Sequence, residues 1–207
     1  MGGAIYIGSS NVTLVSTAFY GNSAVYGGAL LVLNSTVVGN VNATFHGNSA
    51  RYGGAAYVEY SAISWSGSML LKHNSAQYGG ALYLEGNVVV EVTGPTSFCS
   101  NNALYDGGAI GAADDTGTTY YGHSWLIINA STNFTGNTCG GNGGAIDLSE
   151  IYFDIDVYGK AIFSSNSAAS SGGALYASKK QYGIWLTGVT FSNNTAESGG
   201  AVFLFAV

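Results

Sequence analysis

Apolar side chains recur in this 207-residue chain with two rhythms at once, a short one of two residues and a long one of about 26. The short rhythm follows the tripeptide Gly-Gly-Ala. Three places after its first glycine stand Ile5, Leu30, Ala56, Leu82, Ile110, Ile146, Leu175 and Val202. Five places after it stand Ile7, Val32, Val58, Leu84, Ala112, Leu148, Ala177 and Leu204. Between these apolar columns lie Tyr6, Leu31, Tyr57, Tyr83, Gly111, Asp147, Tyr176 and Phe203. Alternation with period two marks a strand with one buried face, and the aspartate in the middle column predicts that this column points outward.

The long rhythm sets the architecture. Gly-Gly-Ala begins at Gly2, Gly27, Gly53, Gly79, Gly107, Gly143, Gly172 and Gly199. Five or six residues before each one after the first stands an asparagine: Asn22, Asn48, Asn74, Asn101, Asn137, Asn166 and Asn194. Three residues before each asparagine is Phe19, Phe45, Phe98, Phe134, Phe163 or Phe191, with Leu71 in the remaining repeat. No stretch carries the period of a long amphipathic helix, and about 26 residues hold three short strands with their turns. Each repeat is therefore predicted to be one coil of a parallel β-helix. The expected fold is all-β, a solenoid of about seven coils over residues 1–207 as a single domain. The interval from Gly107 to Gly143 is 36 residues, which predicts an excursion over about 111–124, where the sequence reads AADDTGTTYYGHS.

Stacked coils lie about 4.8 Å apart, so equivalent residues stand directly over one another, and seven coils make a rod segment of about 34 Å. Asparagine in every coil at one bend predicts a ladder of side-chain amides, each donating to and accepting from its neighbours. Gly-Gly predicts a backbone conformation or a close approach that a side chain forbids, and the phenylalanine fills the interior at that corner.

Phe-x-x-Asn followed by Gly-Gly-Ala-Ile or Gly-Gly-Ala-Leu resembles the repeat of the polymorphic membrane proteins of chlamydiae. Similar repeats occur in large surface proteins of protists, algae and simple animals. The resemblance runs from Gly2 to Ala201. It implies a right-handed parallel β-helix and a surface adhesin role, as in that family's passenger regions.

Composition narrows the partners. Only 8% of residues are charged, and five Lys and Arg against eleven Asp and Glu give a formal charge of -6. Nucleic acid and anionic membranes both need clustered cations, so neither is expected as a partner. No apolar run reaches the roughly 18 to 20 residues that span a bilayer, so this segment is not expected to insert, and residues 1–20 lack the pattern of a signal peptide. Cys99 and Cys139 permit at most one internal disulfide; their offset is about 13 Å along a strand, which leaves open a bridge across the bend or two separate thiols.

Six Asn-x-Ser/Thr sequons start at Asn11, Asn34, Asn42, Asn129, Asn133 and Asn193. None of the seven ladder asparagines is among them. That separation predicts N-glycosylation at water-facing positions, which would also solubilise a surface poor in charge.

The irregular coils hold most of the candidates for catalytic chemistry. Stacking could bring Asp114 and Asp115 near Asp147 and Glu150 of the next coil, as a Ca²⁺ candidate or an acidic patch. Lys179 and Lys180 fall in the same window one coil on, so charge pairing is equally available. His123 follows Gly122 without the Arg-x-Lys pair of a polygalacturonase, and His46 and His73 form no metal cluster. No catalytic residue and no cofactor are expected. The outward rings of Tyr6, Tyr57, Tyr83, Tyr176 and Phe203, beside a second column of Tyr26, Tyr52, Tyr78 and Tyr105, either stabilise neighbouring coils or hold a glycan or partner.

Both ends read as repeat, with no polar cap. The function expected from the sequence is therefore an extracellular or cell-surface structural or adhesive protein, N-glycosylated, and part of a long rod or an end-to-end fibre. Its expected partners are copies of itself or flanking coils of the same chain, and glycans or cell-surface molecules. A bacterial adhesin passenger and a polysaccharide lyase or hydrolase of β-helix type are the alternatives.

Overall fold

The structure, a computed structural model, describes residues 3–113, 124–149, 153–178 and 183–205. Every regular element among them is a β-strand, most of four residues. The strands assemble into four parallel sheets running along the rod. Sheet 1 holds eight strands, from Ile5–Gly8 to Val202–Phe205. Sheets 2 and 3 hold seven each, from Asn11–Leu14 to Ile184–Leu186 and from Thr17–Tyr20 to Thr190–Ser192. Sheet 4 has four two-residue strands, from Ser75–Ala76 to Ser167–Ala168. Each strand pairs with its equivalent one repeat away, as Ile5 with Leu30 and Leu30 with Ala56. The chain is thus a β-solenoid of about seven coils.

The register carries the apolar columns inward. Val32, Val58, Leu84 and Leu148 of sheet 1 are fully buried, as are Ile155 of sheet 2 and Leu71 of sheet 3. The corner phenylalanines stack ring on ring, Phe98 to Phe134 at 4.7 Å and Phe134 to Phe163 at 4.5 Å. Leu71 takes the same position between Phe45 and Phe98 through strand register. Large and small residues also interlock between coils: Gly39 pairs with Trp65, and a Cβ on Gly39 would overlap the buried indole.

At the bend after sheet 3 the seven asparagines form one continuous chain of hydrogen bonds. Asn48 Nδ2 donates to Asn74 Oδ1 at 3.0 Å and to the carbonyl of Phe19 at 3.1 Å. Its own Oδ1 accepts from Asn22 Nδ2 at 3.0 Å and from the Asn22 backbone N–H at 2.9 Å. The same four bonds recur for Asn74, Asn101, Asn137 and Asn166, all of them buried. An amide has two donors and an acceptor oxygen with two lone pairs, so these side chains are satisfied without water. The residue before each ladder asparagine turns the chain with positive φ, as glycine at Gly47 (66°) and as serine at Ser100 (52°).

The two glycines of Gly-Gly-Ala have different duties. Gly53 has φ 65°, and a Cβ on Gly54 would overlap the carbonyl oxygen of Gly80 in the next coil. The first glycine turns the chain and the second lets adjacent backbones close up.

A second ladder, which the sequence reading missed, lies at the turn from sheet 1 to sheet 2. The hydroxyls of Ser35 and Ser61 accept the backbone N–H of Ser10 and Ser35, each at 3.0 Å. They donate to the carbonyls of Leu33 and Glu59, each at 2.7 Å. The Ser124 hydroxyl likewise accepts the Val88 N–H, but donates to the Gly86 carbonyl of the preceding coil. Serine is so frequent in this chain that one more column of it carried no signal.

Two expectations change. Residues 111–113 and 124, which the sequence assigns to the excursion, belong to strands Ile110–Ala113 and Ser124–Ile128; residues 114–123 lie outside the described residues. The middle column of sheet 1 does lie opposite the core, yet Leu31, Tyr57 and Asp147 are buried, because an outer layer of side chains covers them.

Candidate functional site

That outer layer is aromatic. Tyr26, Tyr52 and Tyr78 stack at 5.5 Å between successive ring centroids, and Tyr105 follows at 4.9 Å. Tyr57 and Tyr83 stack at 5.9 Å in the column beneath. The two columns touch, Tyr26 edge-on to Tyr57 at 5.1 Å and Tyr52 tilted on Tyr83 at 5.2 Å. Of the five rings singled out on sheet 1, Tyr57 is 4% exposed, Tyr83, Tyr176 and Phe203 are half-buried, and Tyr6 is 58% exposed. Tyr176 and Phe203 stack on each other at 5.4 Å. Ring faces in this layer are therefore turned largely to neighbouring coils, and their edges to water.

Several carboxylates among the described residues are engaged by the protein itself. The Tyr57 hydroxyl donates to Glu85 at 2.7 Å and to Glu59 at 3.3 Å. Burial, followed by these two carboxylates, pushes the phenol well above its ordinary range. Asp147, from the Ca²⁺ candidate, is buried and accepts the Ser149 hydroxyl at 2.6 and 2.8 Å. Asp114, Asp115 and Glu150 lie outside the described residues, as do His123, Lys179 and Lys180. Among the described residues no three His, Cys, Asp or Glu side chains are grouped to hold a metal ion.

Sheet 2 carries a further aromatic and acidic cluster. Asp154 faces outward but is only 5% exposed. It accepts Trp125 Nε1–H at 2.9 Å and the Gly183 N–H at 2.7 Å, while the indole of Trp185 folds over Gly183. Two residues on, Asp156 has one buried oxygen without a partner. Burial and then the charge of Asp154 raise its carboxyl above the usual range, against a hydrogen bond from Tyr158.

All six sequon asparagines are exposed, whereas the ladder asparagines from Asn48 to Asn166 are buried. Two sequon positions also have a conformational explanation. Asn34 (φ 47°) and Asn193 (φ 54°) sit in left-handed turns, where asparagine is favoured among residues with a side chain. Cys99, on sheet 3, is half-buried, and Cys139, in sheet 4, is buried; both are free thiols. Burial pushes Cys139 up to about 12.

An open groove of about 580 Å³ runs along the turn from sheet 1 to sheet 2. Its lining comes from four successive coils and includes Asn11, Asn34, Thr36, Tyr60, Ala62 and Asn87, with the serine ladder behind them. None of its lining residues is charged. A second groove of about 400 Å³ crosses sheet 3 between Asn42 and Asn133, over the more apolar Met69, Leu70 and Pro95. No helix among the described residues is long and apolar enough to cross a membrane.

Comparison with known proteins places these coils. Residues 131–149, 160–178 and 188–204 match the model of the Chlamydia polymorphic membrane protein repeat. Each match starts at a sheet 3 strand, crosses the asparagine bend and ends in the sheet 1 strand after Gly-Gly-Ala. The probable outer membrane protein pmp6 of Chlamydia pneumoniae is 37% identical over 107 residues, which is 50% of this chain and 8% of that relative. The chain therefore spans a small part of the relative's length. No solved structure matches. Three stretches of the chain thus match the Chlamydia polymorphic membrane protein repeat, within a chain that folds as a parallel β-solenoid.

Proposed function

We propose that this segment is a stretch of a cell-surface β-helical rod whose task is display and adhesion. The observation that carries the reading is the match of the repeat, at the asparagine bend and Gly-Gly-Ala strand, to a family that includes a probable outer membrane protein. The rod's interior is spent on stacking, which leaves its outer faces free to vary without disturbing the fold. A non-catalytic role is supported by the carboxylates, since Glu85, Asp147 and Asp154 are each bonded to neighbouring groups of the protein.

The test is surface labelling. An antibody raised to this chain should decorate intact cells of the source organism, and mild protease treatment of those cells should remove the signal. Labelling that appears only after permeabilisation overturns the reading. Release of new reducing ends from neutral or acidic polysaccharides by the purified chain would instead support the lyase or hydrolase.

N-glycosylation is a second reading, favoured by the exposure of Asn11, Asn34, Asn42, Asn129, Asn133 and Asn193. Mass spectrometry of native material before and after enzymatic glycan release decides it. Conversion of these asparagines to aspartate on release supports glycans; unmodified asparagine at all six supports a bare bacterial-type passenger.

A further inference from the structure

The uncharged groove between sheets 1 and 2 has the chemistry of a carbohydrate site, and we propose that it binds an extended neutral polysaccharide running along the rod axis. The proposal rests on the surface reading above and adds a ligand class to it.

Four features converge. First, the groove is lined by hydroxyls and amides and by no charged group. Sugars present both donors and acceptors, and a lining of Asn, Thr, Ser and Tyr answers both. An acidic polysaccharide would bring charge against a lining with no cation, on a chain of formal charge -6. The nearest carboxylates along sheet 1, Glu59 and Glu85, are turned to the Tyr57 hydroxyl.

Second, the wall is rigid before any ligand arrives. Ser10, Ser35 and Ser61 are tied to the backbone through the serine ladder, so the groove's inner edge keeps its shape. Preorganised polar groups lose less on binding than mobile ones. Third, the same positions return in each coil at about 4.8 Å, close to the length of one pyranose unit in an extended chain. Four coils, or three steps, give roughly 14 Å on that spacing, room for about three sugars. Asn11 and Thr36 are paired directly across the first step.

Fourth, an aromatic surface stands in the third of the four coils. Tyr60 occupies a left-handed turn with φ 46°, and its ring lies against Gly86 of the next coil, where a Cβ would come within 2.7 Å. That glycine clears a place for the ring, and aromatic rings stack on the C–H faces of sugars. The second groove, over Met69 and Leu70, lacks this combination of polar lining and aromatic wall.

The experiment is isothermal titration of the full chain, produced in bacteria so that Asn11 and Asn34 carry no glycan. The probes are glucose, mannose and xylose hexasaccharides, their disaccharides, and a galacturonate hexamer. At least one neutral hexamer should bind, its disaccharide at least tenfold more weakly, and galacturonate not at all. Thr36→Trp, at an exposed outward position, should weaken binding at least tenfold with the melting temperature unchanged. Should that variant misfold, Asn87→Ala at the exposed rim should weaken binding severalfold. The proposal is overturned if no neutral hexamer binds, if galacturonate binds equally well, or if both folded variants bind like the parent. Loss of binding with cell labelling intact removes the groove proposal alone. Labelling only after permeabilisation removes the surface reading whatever the titration shows.

Discussion

Asn101 has capacity for four hydrogen bonds and makes all four, to Asn137, to the carbonyl of Leu71, and from the amide and backbone N–H of Asn74. Asn101→Leu orphans several buried groups at once, and should cost about 3 kcal/mol or more at roughly 1 to 3 per group, measured by chemical denaturation. The exposed Asn34 behaves differently. At φ 47° its replacement by alanine should cost about 1 kcal/mol, whereas Asn34→Gly should be near neutral while removing a sequon. Asp156 supplies a pH test. Its folded carboxyl titrates above the ordinary value, so the folded state keeps a proton that the unfolded chain has released. Stability is then greatest below the unfolded value and falls as pH rises through the raised one. Asp156→Asn should raise the melting temperature at neutral pH and change little at about pH 3, near or below the ordinary carboxyl range. Of these residues, the sequence announced the ladder asparagines, because every repeat carries one, and Asn34 as a sequon. The left-handed turns at Asn34 and Asn193 break no local pattern and needed backbone angles to be seen.

Sheets in this molecule are held by agreement between one coil and the next, which makes coupling between strands measurable. Gly39→Ala forces a methyl into the Trp65 indole and should destabilise by about 1 to 3 kcal/mol. Combined with Trp65→Val, the cost of the pair should fall below the sum of the single changes, as a double-mutant cycle would show. The thiols report on sheet burial: a mild alkylating reagent should modify Cys99 in the native protein and reach Cys139 only after unfolding. Sheet 1 was legible from its apolar alternation. Its middle column points outward as the alternation predicts, but the alternation does not show the near-complete burial of Tyr57 against Tyr26 and Tyr83. A single sequence shows which side of a strand a residue takes, but not whether a loop one turn away folds back over it. The serine ladder escaped for the opposite reason, being written in the commonest polar residue of the surface.

For the rod as a body, the period itself is the testable quantity. Residues 48–73 are one repeat, beginning at a ladder asparagine and ending just before the next. Their deletion should leave a folded solenoid, shorter by one coil of about 4.8 Å, with Phe45 set against Phe98. Solution scattering and circular dichroism would check this, and removal of one residue fewer should disrupt the stack. Coil number was readable from the interval between Gly-Gly-Ala tripeptides, since a solenoid repeats its geometry with its sequence, but the two-residue strands of sheet 4 were not. The groove was not, because it arises from four coils together and from the serines behind it. The asparagine ladder finally gives the rod a direction. Parallel sheets carry little net dipole, but every amide-to-amide bond in this column runs toward the next repeat, while the second N–H of the amides from Asn48 to Asn194 donates to a carbonyl of the previous coil. Six such amide-to-amide bonds in series all point one way, so the two ends of the column are chemically different, one closing on an amide donor and the other on an amide oxygen.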